Sequence, residues 1–409
     1  MKKIFNKIFA AVLVAGLSVA FAACSSDNGG GIKSYPVSVN LNLGDGLALD
    51  NISNLQLVVK SDKGVNDTVN LSSAQTPLVL KQGVYDFSVI GKVKDEATAF
   101  ITGLAKANVY AQTTVTLDVS KAYQSTLIFK TIYNAGGKQY YIKDSFFEIV
   151  NNSDEVQYLD NLILASALAG QKTQNAWQAN GITDLYPMAN GAVLAFPGTG
   201  HDYPLLPGQS ILIANDAANH ADADHANDPN CPDLNNADWE VYLDYNSQEV
   251  DYPAKNLKVI FTNNKYMPMW GFGVQSIALA LVKLPEGVTP EDFASDASNF
   301  QTTPGSTSTQ EYMMIPSKYV LDAVDVWNAN STEHYGFFLA KDDKQGVLCS
   351  DAYAAKCERR KVSKTVNGRK YYQDTNNSAD DFLTNQNNNS KIHFQQRGGM
   401  NTAAPLFSN

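Results

Sequence analysis

The chain has 409 residues, of which 44% are apolar and 18% are charged, a composition typical of globular proteins and not of disordered or collagen-like ones. Its formal net charge of −10 argues against a protein that binds nucleic acid or anionic lipid through a basic surface. Four cysteines are too few for a fold built on disulfides.

Residues 1–23 predict a secretory signal peptide, because lysines precede an apolar run that ends in small residues. Cys24 follows directly, and residues 24–34 then form a polar, flexible tether. This order resembles a bacterial lipoprotein signal. The resemblance implies that Cys24 carries acyl chains and anchors the protein to the outer membrane, on a face that the sequence leaves open. Ordinary cleavage beside an incidental cysteine is the alternative.

Residues 35–120 predict a first β-sandwich. Apolar residues alternate with polar ones in segments such as 37–43 (VSVNLNL), 84–90 (VYDFSVI) and 113–119 (TTVTLDV). About seven such segments, separated by turn residues, indicate an antiparallel Ig-like accessory domain.

A second region, residues 125–409, contains a series of strand motifs. They include 146–151 (FFEIVN), 206–214 (LPGQSILIA), 322–327 (DAVDVW) and a closing segment, 397–405 (RGGMNTAAP). In this order the motifs resemble the lamin-tail fold, which is an Ig-type β-sandwich. Long loop insertions are expected at 166–203, 215–237, 295–310 and 374–391.

The arrangement of lipoprotein signal, sandwich and lamin-tail-like region resembles a Bacteroidetes lipoprotein family, domain of unknown function 4876. The resemblance implies an all-β protein with two tandem Ig-like β-sandwiches, the second lamin-tail-like with long loop insertions. It implies no activity, because the family has none established.

The insertion at 216–228 combines histidines with carboxylates. Asp216, His220, Asp222, Asp224 and His225 supply the nitrogen and oxygen ligands that Zn²⁺ or Ca²⁺ prefers. Their spacing matches no known metal motif, and a solvated acidic loop is the alternative interpretation. We therefore expect no cofactor, with a metal at this loop as the competing hypothesis.

Two cysteines lie close together in the sequence. Cys349 and Cys357 are eight positions apart, and in an oxidising envelope this spacing allows a disulfide. Cys231 is then predicted to be a partly buried thiol rather than a nucleophile, because no catalytic signature surrounds it.

Aromatic residues are the remaining candidates for ligand contact. Trp177 and Tyr186 lie in a predicted insertion, where loops often carry binding function. The aromatic residues concentrated in 239–272 are expected to pack the sandwich core or one sheet face, with a ligand face as the alternative.

No nucleophile motif, phosphate-binding loop or metalloprotease motif occurs in the chain. We therefore expect a non-enzymatic binding or interaction lipoprotein. Its partners are expected to be the membrane and an outer-membrane receptor or surface protein, with an accessory role in TonB-dependent nutrient uptake by analogy. A metal-dependent or glycan-active envelope hydrolase and a structural surface protein are the alternatives.

The lipoprotein signal makes a direct prediction. Replacing Cys24 with alanine removes the acylation site, so the protein is expected to leave the membrane fraction, because the anchor is acyl chain and not charge. Fractionation with immunoblotting and intact-mass analysis check this, with Cys231→Ala as the control. Equal sedimentation of both variants with membranes contradicts the anchor.

Overall fold

The computed structural model describes residues 32–387, except Asp45, Asp62, Ala97, Gly170, Pro268, Phe272 and Ser350. The regular secondary structure of the described chain is mostly β, with 45% strand and 7% helix, which confirms the all-β prediction. The signal peptide, Cys24 and the closing motif at 397–405 lie outside the described residues.

The first seven strands form one continuous set of pairings. They are β1 (Ser34–Leu43), β2 (Ile52–Ser61), β3 (Asn66–Asn70), β4 (Gln75–Lys81), β5 (Gly83–Val93), β6 (Ala99–Val109) and β7 (Thr113–Tyr123), with a 3₁₀ turn at Leu49–Asn51. Their order is β3-β2-β5-β6-β7-β1-β4. The first half of β7 pairs with β1 and its last residues pair with β6, so β7 joins two layers around one core.

Strict alternation explains this first core. Along β5 the side chains of Tyr85, Phe87 and Val89 are buried, while their neighbours are more exposed. Each strand therefore contributes one apolar face to the interior.

The strands of the second region continue from β8 in chain order. They are β8 (Leu127–Tyr133), β9 (Phe146–Asn151), β10 (Gln157–Tyr158), β11 (Ile163–Ala167), β12 (Leu185–Met188), β13 (Ala192–Ala195), β14 (Pro204–Leu205), β15 (Ser210–Ala214), β16 (Trp239–Glu240), β17 (Lys255–Asn256), β18 (Lys258–Thr262), β19 (Ile277–Val282), β20 (Phe300–Thr302), β21 (Glu311–Pro316), β22 (Val320–Trp327), β23 (Val347–Leu348), β24 (Lys356–Arg360), β25 (Val362–Val366), β26 (Arg369–Tyr372) and β27 (Phe382–Asn387).

Helical structure is confined to short segments. The helices are α1 (Ala176–Ala179), α2 (Pro290–Ser295) and α3 (Ser378–Asp381), with 3₁₀ turns at Ala297–Asn299 and Ser317–Tyr319. Within the described part of the chain, every helix is too short or too polar to cross a lipid bilayer.

Two large sheets pack face to face in the second region. One has the order β18-β13-β11-β19-β22-β23, and the other has the order β17-β16-β15-β9-β8-β24-β27. The core between them is formed by buried apolar side chains that include Phe129, Ile149, Leu164, Ile213 and Leu279. The predicted strand motifs at 146–151, 206–214 and 322–327 all contribute to these two sheets.

The outer faces of both sheets are also buried. A three-stranded sheet, β12-β21-β20, covers the six-stranded sheet through Tyr186, Met313 and Ile315. The loop at 215–237 covers the other sheet through Ala217, Leu234 and their neighbours. The expectation of loop insertions at 166–203, 295–310 and 374–391 is corrected, because these ranges contain β12 and β13, β20, and β27 respectively, whereas 215–237 has no named strand or helix.

A buried arginine holds the two sheets together. The Arg360 guanidinium donates to Asp322 Oδ2 at 2.8 Å, to Asp374 Oδ1 at 3.3 Å and to the Phe129 carbonyl at 2.7 Å. Asp381 Oδ2 lies 3.5 Å from the same group. Because Asp322 is on β22 and Phe129 is on β8, this one side chain links strands of opposite sheets.

Replacing Arg360 with methionine leaves these carboxylates buried without their cation. The free energy of unfolding is expected to fall by about 3–5 kcal/mol, measured by chemical denaturation. Arg369→Met is the matched control, since its partner Asp154 is exposed and the pair is worth about 1 kcal/mol or less. Equal losses in the two variants contradict the assignment.

Candidate functional site

The loop at 215–237 gathers the histidines of the predicted metal site. The rings of His220 and His225 lie with centroids 5.6 Å apart. Fully buried His220 accepts at Nδ1 from the Tyr141 hydroxyl (2.6 Å) and donates from Nε2 to the Asp216 carbonyl (3.0 Å). Burial lowers the pKa of this imidazole to about 4, so it is neutral at physiological pH.

The other candidate ligands also have protein partners. His225 contacts Asp222 Oδ1 at 2.7 Å and the Tyr252 hydroxyl at 3.1 Å. Asp216 Oδ2 accepts from Lys143 at 3.0 Å, and Asp224 is exposed. Across the described residues, no group of three or more His, Cys, Asp or Glu side chains is placed to hold a metal ion. The two histidines connect this loop to Tyr141, in the segment between β8 and β9, and to Tyr252, in the segment between β16 and β17.

A buried carboxyl completes this network. Glu240 on β16 accepts from the amides of Ala217 (3.1 Å) and Tyr252 (2.8 Å). Burial raises its pKa to about 8. Burial, followed by the charge of Asp216, raises the pKa of Glu249 to about 7. The pKa values place Glu240 mainly in its protonated form at neutral pH, whereas Glu249 is divided between its two forms.

The predicted disulfide is not formed in this structure. Cys349 packs in the core between the two large sheets, and its thiol donates to the Gln275 carbonyl at 3.3 Å. Cys357 packs on the outer face of the seven-stranded sheet with Tyr133 and Phe146. The two cysteines belong to different apolar clusters and are not bonded to each other. Burial raises the pKa of all three described thiols, including that of Cys231, to about 12.

The two predicted ligand-facing aromatics lie in different environments. Tyr186 is 2% exposed and donates its hydroxyl to Asp342, so it is a core residue and the prediction was wrong. Trp177 lines a cavity, although most of its surface is covered. Its indole N–H donates to Gln301 at 3.1 Å, and its ring stands edge-on to Tyr312 with centroids 5.0 Å apart.

This cavity, which we call the amide pocket, has a volume of about 320 Å³. Its polar lining consists of the side-chain amides Gln171, Asn175, Asn190, Asn263, Asn264 and Gln310. Its apolar lining includes Trp177, Tyr312, Phe337, Leu168 and Met267. No charged side chain is present among these described lining residues.

The backbone at the base of the pocket is strained and held in place. Ala189 has a φ of 150° and Gly191 a φ of 94°, where the chain crosses from β12 to β13. Asn263 donates to the Ala189 carbonyl (2.9 Å), and Thr262 donates to the Gly191 carbonyl (2.7 Å). Such conformations persist only where the surrounding structure fixes them, and they concentrate at functional sites.

The wall that carries Trp177 is also rigid. Asn175 and Gln178 form a reciprocal capping box at the start of α1. Gln178 also donates to the carbonyls of Gly336 and Phe337. The pocket is therefore preformed, which lowers the cost of ordering it on ligand binding.

A larger groove of about 810 Å³ lies between the two sandwiches. Its lining includes the charged side chains of Lys106, Lys172 and Glu333. Trp327 also lines it, and its ring stacks on His334 and packs against Gly346, the residue before β23. The lining of the amide pocket is more uniform than that of the groove, because six of its residues are amides and none is charged. Sequence reasoning missed its amides because they come from separate segments, with no spacing to connect them.

Comparison with known proteins identifies the family resemblance. The model of the family described as "Protein of unknown function (DUF4876)" matches residues 206–389. A DUF4876 family protein from Bacteroides thetaiotaomicron has a solved structure with a TM-score of 0.61 and 26% identity, over 90% of this chain and 98% of that one. The predicted resemblance to DUF4876 is confirmed.

The DUF4876 match includes Asn263, Asn264, Gln310 and Tyr312 of the pocket, whereas Trp177 precedes it. A putative polysaccharide-binding protein (DUF1812) from the same bacterium has a TM-score of 0.17 at 11% identity, over 28% of this chain and 76% of that one. The fimbrial anchor protein Mfa2 of Porphyromonas gingivalis has a TM-score of 0.16 at 10% identity, over 42% and 66%. Scores this low carry no functional argument. No curated protein matches the chain.

The Glu240 environment predicts a pH dependence. With a pKa of about 8 in the fold and 4.5 as its ordinary value, Glu240 binds more proton in the folded state. Its contribution to stability therefore decreases as pH rises from about 4.5 to about 8, by up to about 1.4 kcal/mol per pH unit. Glu240→Gln is expected to gain stability relative to the wild type across this range, measured by denaturation at several pH values.

Glu291→Gln is the control for that series. Its hydrogen bond with Lys258 lowers the pKa of Glu291, so its contribution to stability changes with pH only below its ordinary value of 4.5. Glu291→Gln is therefore expected to leave the slope between about pH 4.5 and about pH 8 unchanged. A pH slope unchanged by Glu240→Gln contradicts the protonated assignment.

Proposed function

We propose that the protein is a non-enzymatic binding lipoprotein of the outer membrane, whose amide pocket holds a small, polar, uncharged ligand. The observation that carries the proposal is the lining of the pocket, which has six side-chain amides and no charged group among its described residues. An ionic ligand entering this site loses hydration without gaining a counter-charge, whereas a neutral polar ligand replaces its water hydrogen bonds.

Amides suit such a ligand because each one both donates and accepts hydrogen bonds. The apolar surfaces of Tyr312, Phe337 and Met267 complement the non-polar faces of the same molecule. Small-molecule sites are commonly concave and largely apolar, with a few placed polar groups, and about 320 Å³ falls within their usual size range.

The same lining supports binding rather than catalysis. General acid–base chemistry needs a side chain that exchanges protons near the working pH. Apart from the phenol of Tyr312, the described lining residues offer no ionisable side chain.

The remaining parts of the proposal concern location and partners. Acyl chains on Cys24 attach the protein to the outer membrane, and the second sandwich presents the pocket to its surroundings. An outer-membrane receptor or surface protein is the proposed partner, with an accessory role in TonB-dependent uptake. These parts rest on the signal sequence and on analogy.

The pocket assignment predicts the effect of a single substitution. Gln310 is exposed and lines the pocket, so Gln310→Ala is expected to weaken binding about fivefold to tenfold, the usual net value of one hydrogen bond. Ligands come from a thermal-shift screen of sugars, polyols, nucleosides and their charged counterparts, and calorimetry measures the affinity.

Gln248→Ala is the matched control, because Gln248 is exposed and lies outside the pocket. Preferential stabilisation by charged compounds, or equal effects of the two substitutions, refutes the assignment.

A further inference from the structure

We infer that the ligand is a chain of neutral sugars, with one unit in the amide pocket and the next unit stacked on Tyr266 at its rim. This inference rests on the proposed function and specifies its ligand class. It is carried by the juxtaposition of an uncharged, amide-lined cavity and an exposed aromatic side chain beside it.

Tyr266 is 94% exposed, although it lies between two pocket residues, Asn264 and Met267. The turn is fixed, because Asn264 accepts from the Tyr266 amide through its side chain (3.0 Å) and from the Met267 amide through its carbonyl (3.1 Å). The turn therefore carries an exposed aromatic side chain between two residues that line the pocket.

Other apolar side chains border the same opening. Leu168 lines the pocket and is 53% exposed. Tyr335 is 41% exposed and adjoins the pocket, since its amide donates to the Gln171 carbonyl at 2.6 Å. Together with Tyr266 they add exposed apolar surface beside a cavity that is lined by both amides and apolar side chains.

A sugar chain matches both parts of this surface. Its hydroxyl groups donate and accept, as the amides do, and the C–H faces of its rings pack on aromatic side chains. A chain too long for this cavity of about 320 Å³ extends past its opening, where its next unit lies on Tyr266. A ligand that extends beyond the cavity reaches the ring of Tyr266, whereas one that lies wholly within the cavity does not.

A peptide fits the same surface less well. Peptides bind extended beside a sheet edge by pairing with its backbone groups. Strands β11, β12 and β21 line the pocket through Ala167, Pro187 and Tyr312. Of these three, only β12 lies at a sheet edge, and its Pro187 has no N–H to donate to an added strand.

The test uses calorimetry on the full-length lipoprotein in detergent micelles. The probes are neutral glucose, mannose, galactose and xylose series, from monosaccharides to hexasaccharides, at up to millimolar concentration. Affinity is expected to increase from monosaccharide to disaccharide in the series that binds. Tyr266→Ala is expected to weaken oligosaccharide binding about fivefold to tenfold and to leave monosaccharide binding unchanged.

Two variants serve as controls. Tyr140→Ala removes a tyrosine that is 83% exposed and does not line the pocket, so affinity is expected to stay the same. Tyr266→Phe keeps the ring and is expected to keep most of the affinity.

The outcomes separate this inference from the proposed function. Equal affinity for monosaccharide and oligosaccharide, or no effect of Tyr266→Ala while Gln310→Ala weakens binding, overturns the chain inference and leaves the pocket in place. Binding of neutral peptides or nucleosides without any saccharide also overturns it. Absence of binding by every neutral probe overturns both.

Discussion

The second sandwich depends on one buried cation. Arg360 bonds to Asp322, Asp374 and the Phe129 carbonyl, and so fixes the position of β22 against β8 and β24. Asp374 also accepts from the amide of Ser125, where the chain enters this sandwich. Three acids face one guanidinium, and burial raises the pKa values of Asp322 and Asp374 to about 6 and about 7. The surplus negative charge is thus relieved by protons, which lets a charged centre lie inside an apolar core.

Buried ionisable groups in neutral form also occur where the loop at 215–237 covers the outer face of the seven-stranded sheet. A neutral imidazole, His220, and a buried acid, Glu240, satisfy backbone and side-chain groups that packing removes from water. His220, His225 and Asp216, which the sequence offers as metal ligands, bond to other protein groups in this structure. A buried polar group must find a partner, and here the nearest partners are protein atoms.

The amide pocket differs from these two sites, because none of its described lining residues is charged. Its polar lining residues carry neutral amides, and its strained base is fixed by Asn263 and Thr262. Uncharged amides keep their hydrogen-bonding capacity at any physiological pH, and a rigid wall limits the entropy lost on binding. A fixed backbone below an open cavity is consistent with the proposed binding role.

The sequence alone determined the all-β class, the strand motifs of both sandwiches and the resemblance to DUF4876, because alternation of apolar residues is a local property that burial of one face imposes. It did not determine that 166–203 supplies strands, that Tyr186 is a core residue or that Cys349 and Cys357 lie in different apolar clusters. These outcomes depend on which sheet face each segment covers, and that is decided by contacts between residues far apart in the sequence. The pocket depends on such contacts most of all, because its amides meet only when β12, β13, β18 and β21 are packed together.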